Sequence, residues 1–163
     1  MLDAGALVEK HKGRGVFIDT NLLVLLLVGL VNIDRIRSFK RTQDFTVEDY
    51  HQLQKLVHWF GSPLLATPHV LSQVSDLTDL SGQELSRMRR MFRSIVGTVQ
   101  EHYDAARQLV NHPFFERFGL ANASIAAACE RKTLILTSDL ALHTVLWSSG
   151  FDALNFNHAR ALR

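Results

Sequence analysis

Two aspartates stand in matching positions in this 163-residue chain, each closely after a short apolar run. Asp19 follows residues 15–18, and Asp139 follows residues 133–136 with two hydroxyl residues between. Carboxylates held close together repel each other unless a cation lies between them. Mg²⁺ and Mn²⁺ prefer oxygen ligands and commonly take one or two carboxylates from a protein. If the two runs are neighbouring strands, the pair predicts a divalent metal site. An equally good interpretation is that each aspartate only caps the helix that follows it.

Short apolar runs alternate with helix-like segments along the chain. This alternation predicts an α/β fold with a central parallel sheet, right-handed crossovers and helices on both faces. Ligands of such sheets bind where strands end at their carboxyl edge, which is where both aspartates fall. With no repeat or linker, we expect a single domain over residues 1–163 with its core in 15–160. The predicted strands are residues 15–18, 64–66, 133–136 and 153–156.

Capping residues mark where several helices are predicted to begin. Ser, Thr and Asp are favoured N-caps, proline is favoured at the first helical position, and an acidic residue three positions after the cap completes a capping box. Gly119 is expected to interrupt the helical region before an alanine-rich helix over 120–130. The predicted starts are Thr46 with Asp49, Thr67 with Pro68, and Ser81 with Glu84 as a capping box.

Composition limits the classes of protein to which the chain can belong. The 18 Lys+Arg against 16 Asp+Glu give a formal charge of +2, too mild to indicate a nucleic-acid partner by itself. One cysteine, Cys129, makes neither an internal disulfide nor a cysteine zinc site, which fits a reducing, cytoplasmic location. The apolar stretch Leu22–Val31 is about half of the ~20 residues that a membrane span needs. It exceeds what one helix face buries, so part of it is predicted to contact a second copy of the chain or a partner helix.

Five stretches taken together resemble the PIN-domain nucleases. In order they are VFIDTNLL, TPHVLSQVSDL, FGLANASIAAA, LILTSDLALH and NFNHAR, and they extend from Val16 to Arg160. The resemblance implies a three-layer α/β/α metal-dependent endoribonuclease that uses Mg²⁺ or Mn²⁺ to cut RNA, in many members the toxin partnered by an antitoxin protein. It implies that Asp19 is the first acidic residue of the site and Asp139 the last. Thr20, Asn21, Thr137 and Ser138 would support these two carboxylates, or simply cap helices.

Two positions depart from the family pattern. Gln73 and Asn122 stand where the family has a glutamate and an aspartate. Each amide keeps the size and one oxygen of the acid but loses its charge and cannot act as a general base. We therefore expect weak metal binding and poor or no RNA cleavage. Two explanations of the amides are natural loss of catalysis and deliberate silencing of the nuclease, and the isosteric character of both changes favours the second. A third is a shifted alignment in which Asp76 supplies the missing charge.

A basic helix offers a second candidate surface. Four arginines, Arg87, Arg89, Arg90 and Arg93, lie between residues 87 and 93 and would contact an RNA backbone, or form an ordinary solvated helix face. The runner-up function is a non-catalytic PIN-like module that binds RNA or a protein partner. A phosphatase on a related scaffold is disfavoured, because Asn21 stands where a second acid is needed and no phosphate-binding glycine loop is present.

Overall fold

The computed structural model describes residues 3–61, 63–129 and 132–161. Within these ranges the strands are β1 (Val16–Ile18), β2 (Leu64–Ala66), β3 (Gln100–Glu101), β4 (Leu134–Thr137) and β5 (Ala153–Asn155). They form one sheet, entirely parallel, in the order β3-β2-β1-β4-β5. Every residue of β1, β4 and β5 is buried. Because successive side chains of a strand point to opposite faces, both faces of the sheet are covered, which confirms the predicted α/β fold with a three-layer α/β/α arrangement.

Helices connect and cover the strands. In the connection between β3 and β4, Gly119 has a φ of 77° and breaks the helical region near its start, as predicted, and the residues after it return to helical geometry. The predicted end of that helix, Glu130, lies outside the described residues. The helices are α1 (Ala4–Lys10), α2 (Thr20–Val31), α3 (Val47–Phe60), α4 (Pro68–Leu77), α5 (Gly82–Val96), α6 (Ala106–Leu109), α7 (Phe115–Cys129), α8 (Leu140–Ser148) and α9 (Phe156–Ala161).

Helix α2 lies at the centre of the helical packing. It contacts α3, α4 and α5, and Gly29 lets α3 approach so closely that an added Cβ would lie 2.3 Å from the Tyr50 ring. Of the apolar residues of α2, all of which the structure describes, Leu30 is exposed and the others are buried. The apolar excess that predicted a homodimer contact is therefore covered by helices of the same chain. No helix in the described ranges is long and apolar enough to cross a bilayer.

The predicted helix caps are confirmed at two starts and wrong at the third. Thr46 and Asp49 form the reciprocal capping box, and Thr67 accepts from the Val70 N–H ahead of a first-turn proline. Ser81 makes no side-chain capping bond. Glu84 instead accepts hydrogen bonds from Asn32 and Arg35 at the far end of α2, so a tertiary contact displaces the local box.

The sequence does not predict four elements, which are a 3-10 helix at Ile33–Arg35, β3, α1 and α9. Strand β3 is two exposed polar residues, and α1 and α9 are short helices at the two ends of the core. Strand β5 also ends at Asn155, one residue earlier than predicted, because Phe156 begins α9. These elements carry too few apolar repeats for a periodic signal to detect them.

Helix α1 is attached to the sheet through Asp152, which precedes β5. Asp152 Oδ2 lies 2.6 Å from Lys10 Nζ and 2.8 Å from Nε2 of the buried His11. Burial acts to raise the pKa of Asp152, but the hydrogen bonds from Lys10 and His11 outweigh it and leave the pKa below the usual 3.8. A carboxylate with a lowered pKa stabilises the folded state above its unfolded pKa and loses that contribution as the pH falls through the folded pKa.

Replacing Asp152 by Asn should therefore lower the free energy of unfolding at neutral pH by about 1 kcal/mol. The deficit should persist down to pH near 3.8 and shrink below it, because the parent carboxylate then becomes protonated. Urea denaturation across this pH range measures the effect. Asp34→Asn, at an exposed aspartate, is the control, and a deficit that does not change with pH would contradict the ion-pair account.

Candidate functional site

The sheet order places the two aspartates at one crevice. From β1 the chain moves outward to β2 and β3, then returns to place β4 on the other side of β1, so the order reverses between β1 and β4. Ligands of open α/β sheets bind outside the carboxyl ends of the strands at such a switch point. Asp19 follows β1 there, and its backbone N–H bonds to the Leu136 carbonyl of β4 at 3.0 Å. The condition set for the metal prediction, that the two strands are neighbours, is met.

A small polar cavity opens at this crevice. Its volume is about 130 Å³, and both aspartates line it together with both amides. Leu77 and Leu142 supply its apolar walls, and neither residue was singled out from the sequence. The cavity is lined by Asp19, Thr20, Asn21, Gln73, Leu77, Asn122, Asp139 and Leu142.

Asp19 is a buried carboxylate, 4% exposed, held by three hydrogen-bond donors. Its Oδ1 accepts from the Leu22 N–H at 2.9 Å, while its Oδ2 accepts from the Thr137 hydroxyl at 2.6 Å and the Ser138 N–H at 2.8 Å. Burial raises the pKa of Asp19; the three donors act to lower it, and the Asp139 carboxylate acts to raise it further. The fold thus fixes this carboxyl group firmly but compensates its charge incompletely.

Asp139 performs the same local role in a different environment. Its Oδ1 accepts from the Leu142 N–H at 2.9 Å, so it caps α8 as Asp19 caps α2. The side chain is exposed, and its Oδ2 makes no hydrogen bond within the described part of the chain. Asp139 therefore both caps a helix and lines the cavity, with one oxygen bound to the helix and the other without a hydrogen bond in the described residues.

The two amides reach the cavity from different helices. Gln73 Oε1, on α4, accepts from the Thr20 hydroxyl at 2.6 Å. Asn122 Nδ2, on α7, donates to the Phe118 carbonyl at 3.0 Å, which leaves its Oδ1 without a hydrogen bond among the described residues. Asp76, the alternative source of negative charge, is exposed and lines a separate groove beside α5. Gln73, not Asp76, is therefore the α4 residue at the cavity.

Two further polar contacts position these groups. The buried hydroxyls of Thr67 and Ser124 lie 2.6 Å apart and join the start of α4 to α7, the helices that carry the two amides. Asn157 Nδ2 donates to the Ser138 carbonyl at 2.9 Å, and the N–H of the same Ser138 donates to Asp19. Neither role can be predicted from a local sequence pattern, because each depends on residues that are far apart in the chain.

All the polar groups at the cavity can offer oxygen to a hard cation. Each carboxylate oxygen has about two acceptor positions, so Asp19 keeps one free on Oδ1, whereas Asp139 keeps its whole Oδ2. The Asn122 Oδ1 adds a neutral oxygen. This set fits a hydrated Mg²⁺ or Mn²⁺ that retains several waters. It is a sparse set, since no cluster of three or more His, Cys, Asp or Glu suited to a metal occurs in residues 3–61, 63–129 and 132–161.

The basic helix lies apart from the cavity. Arg87, Arg89, Arg90 and Arg93 are exposed on α5, and none of them lines the cavity. Arg89 instead lines the groove that also contains Asp76. The position of these arginines therefore agrees with a solvated helix face, and contact with RNA remains a prediction.

No family model, curated protein or solved structure matches the chain. The resemblance to PIN domains thus rests on the five sequence stretches alone. The residues that carry it nevertheless converge, since Asp19, Gln73, Asn122 and Asp139 come from four separate segments and line one cavity.

Proposed function

We propose that the chain is a PIN-like, divalent-metal-dependent endoribonuclease whose catalytic power is weakened by Gln73 and Asn122. The observation that supports it best is the meeting of Asp19 and Asp139 with both amides in one cavity at the switch point of the sheet. If Asp19 and Asp139 were only helix caps, there would be no reason for Gln73 of α4 and Asn122 of α7 to line the same cavity of about 130 Å³.

Each residue has a distinct role in this proposal. Asp19 and Asp139 hold Mg²⁺ or Mn²⁺, and Asn122 contributes its amide oxygen. A bound divalent ion supplies an activated water and stabilises the charge that develops on the departing oxygen of a phosphodiester. Thr137 and Ser138 orient Asp19, and Thr20 orients Gln73. Gln73 cannot accept a proton as a glutamate would, so the chain has no general base at that position.

The test is cleavage of an end-labelled single-stranded RNA in Mg²⁺, in Mn²⁺ and in a chelator. We expect slow cleavage that needs the metal and is lost in Asp139→Asn, which keeps the size of the side chain and the oxygen that caps α8. Asp76→Asn makes the same change outside the cavity and should leave the rate as it is. Metal-dependent cleavage that survives Asp139→Asn would show that the site lies elsewhere.

One observation favours a second candidate, the non-catalytic PIN-like module. The cavity holds two carboxylates where the family pattern has four acids, and Gln73 is already hydrogen-bonded to Thr20. RNA binding that is equal in metal and in chelator, without cleavage, would favour this module. An antitoxin-like protein partner belongs to either proposal, and the described residues point to no particular surface for it.

A further inference from the structure

An exposed aromatic ring lies at the same edge of the sheet as the cavity. Strand β3 pairs with β2 in register Ala66 to Glu101, and the His102 N–H continues the pairing to the Ala66 carbonyl at 2.9 Å. Tyr103 follows directly and is 71% exposed, the highest value among the exposed large hydrophobic side chains of the described residues. Because all strands are parallel, the chain leaves β3 at the carboxyl edge, where Asp19 and Asp139 also lie.

Tyr103 is supported from one side by His69. The two rings are 23° from parallel with centroids 6.4 Å apart, an offset stack. His69, on α4, is itself fixed, since its Nε2 lies 3.1 Å from the carbonyl oxygen of Asp104, the residue after Tyr103. An aromatic ring that is braced yet largely exposed presents a flat apolar surface at little further cost in conformational entropy.

Helix α4 connects this ring pair to the cavity. His69, Gln73 and Leu77 recur every four residues and so lie on one face of α4. Gln73 and Leu77 line the cavity, and His69 extends the same row by one helical turn, about 6 Å along the axis. A chain that crosses the cavity and follows this face of α4 can therefore place a nearby unit against Tyr103, whose ring lies beyond His69.

We propose that Tyr103, backed by His69, is a stacking site for one unpaired nucleobase of the RNA strand, adjacent to the cavity. Every base has a π-face, so aromatic stacking binds single strands with little sequence preference. This inference rests on the proposed function for its ligand, but base stacking itself needs neither the metal nor cleavage. The site would fix the register of the strand relative to Asp19 and Asp139.

The experiment measures binding of a dye-labelled single-stranded RNA by fluorescence anisotropy in chelator, where no metal-dependent cleavage occurs. Tyr103→Ala should weaken binding by about tenfold or more, and Tyr103→Trp should retain it. Trp59→Ala is the matched control, because Trp59 is an exposed aromatic at the opposite edge of the sheet. The Gly13 N–H, just before β1 begins, donates to the Trp59 carbonyl there. An RNA with an abasic position at the stacked nucleotide should bind the parent chain and Tyr103→Ala alike.

Equal binding by the parent chain and Tyr103→Ala would overturn the stacking site, as would the same loss in Trp59→Ala. A second readout is photo-crosslinking of RNA that carries 5-iodouridine, which should label Tyr103 in the parent chain; labelling only at other residues also overturns it. Failure of the nuclease proposal is separable. A Tyr103-dependent affinity without any cleavage keeps the stacking site, whereas Asp139-dependent cleavage with no effect of Tyr103→Ala keeps the nuclease alone.

Discussion

The double variant Gln73→Glu with Asn122→Asp is expected to cut RNA at least about 100-fold faster than the parent chain, with an absolute requirement for Mg²⁺ or Mn²⁺. Both side chains already line the cavity, so the change adds two negative charges without moving the backbone. A glutamate at position 73 would still accept the hydrogen bond from Thr20, and its second oxygen would be available to bind a cation or accept a proton. The rate with end-labelled RNA, compared in metal and in chelator, measures the effect.

The same variant should be less stable than the parent chain when no metal is present. Four carboxylates in one small cavity repel one another, and an aspartate at position 122 cannot donate to the Phe118 carbonyl as Asn122 does. Divalent cations should then raise its melting temperature more than that of the parent chain, because a ligand that binds only the folded state stabilises it. Activity and metal-induced stabilisation should therefore appear together.

A matched control separates the position of the charges from their number. Gln83→Glu with Asn111→Asp makes the same two chemical changes at exposed residues outside the cavity. Asn111 also donates to the carbonyl four residues earlier, as Asn122 does, so both pairs lose an equivalent hydrogen bond. The control pair should gain no cleavage. If the cavity pair gains none either while still binding RNA, the non-catalytic module is the better description.

Local signals in the sequence predicted the strands and helices that carry the site, whereas the burial and hydrogen bonding of its residues depend on long-range contacts. The apolar runs before Asp19 and Asp139 were sufficient to predict two strands and the helices that follow them, because each signal lies within a few residues. The shared crevice was conditional on the two strands being neighbours, which the sheet order shows. Whether Asp19 or Asp139 is buried depends on Thr137 and on the surrounding elements, which no local pattern contains. The Ser81 box failed for the same reason, since Glu84 has a stronger partner across the fold in Arg35.

The placement of α2 illustrates how packing overrides a rule based on a single helix. An apolar helix with one buried face would leave an excess to be covered by another chain, yet α3, α4 and α5 cover that excess here. Edge strand β3 illustrates the reverse case. Its two residues, Gln100 and Glu101, are polar and exposed, and they become a strand only because β2 offers a partner edge.

Replacing Asp19 by Ala should cost far more stability than replacing Asp139 by Ala, although the two residues look equivalent in the sequence. Asp19→Ala leaves the Leu22 N–H, the Ser138 N–H and the Thr137 hydroxyl without their acceptor in a buried region. Relief of the buried charge offsets part of that loss, so the net decrease in the free energy of unfolding should be about 2–4 kcal/mol. Asp139→Ala removes one helix cap at an exposed position, which should cost about 1 kcal/mol.

Urea denaturation in metal-free buffer checks this contrast, and its pH dependence checks the cause. A raised pKa means that the folded state binds the Asp19 proton more tightly than the unfolded chain does, so ionisation of Asp19 opposes folding. The stability of the parent chain relative to Asp19→Ala should therefore decrease as the pH rises from 3.8 through the raised folded pKa. Asp19→Asn, which keeps an acceptor for the Leu22 N–H but carries no charge, should fall between the parent chain and Asp19→Ala at neutral pH. Equal losses in Asp19→Ala and Asp139→Ala would mean that burial of Asp19 does not set the energetics of this edge of the sheet.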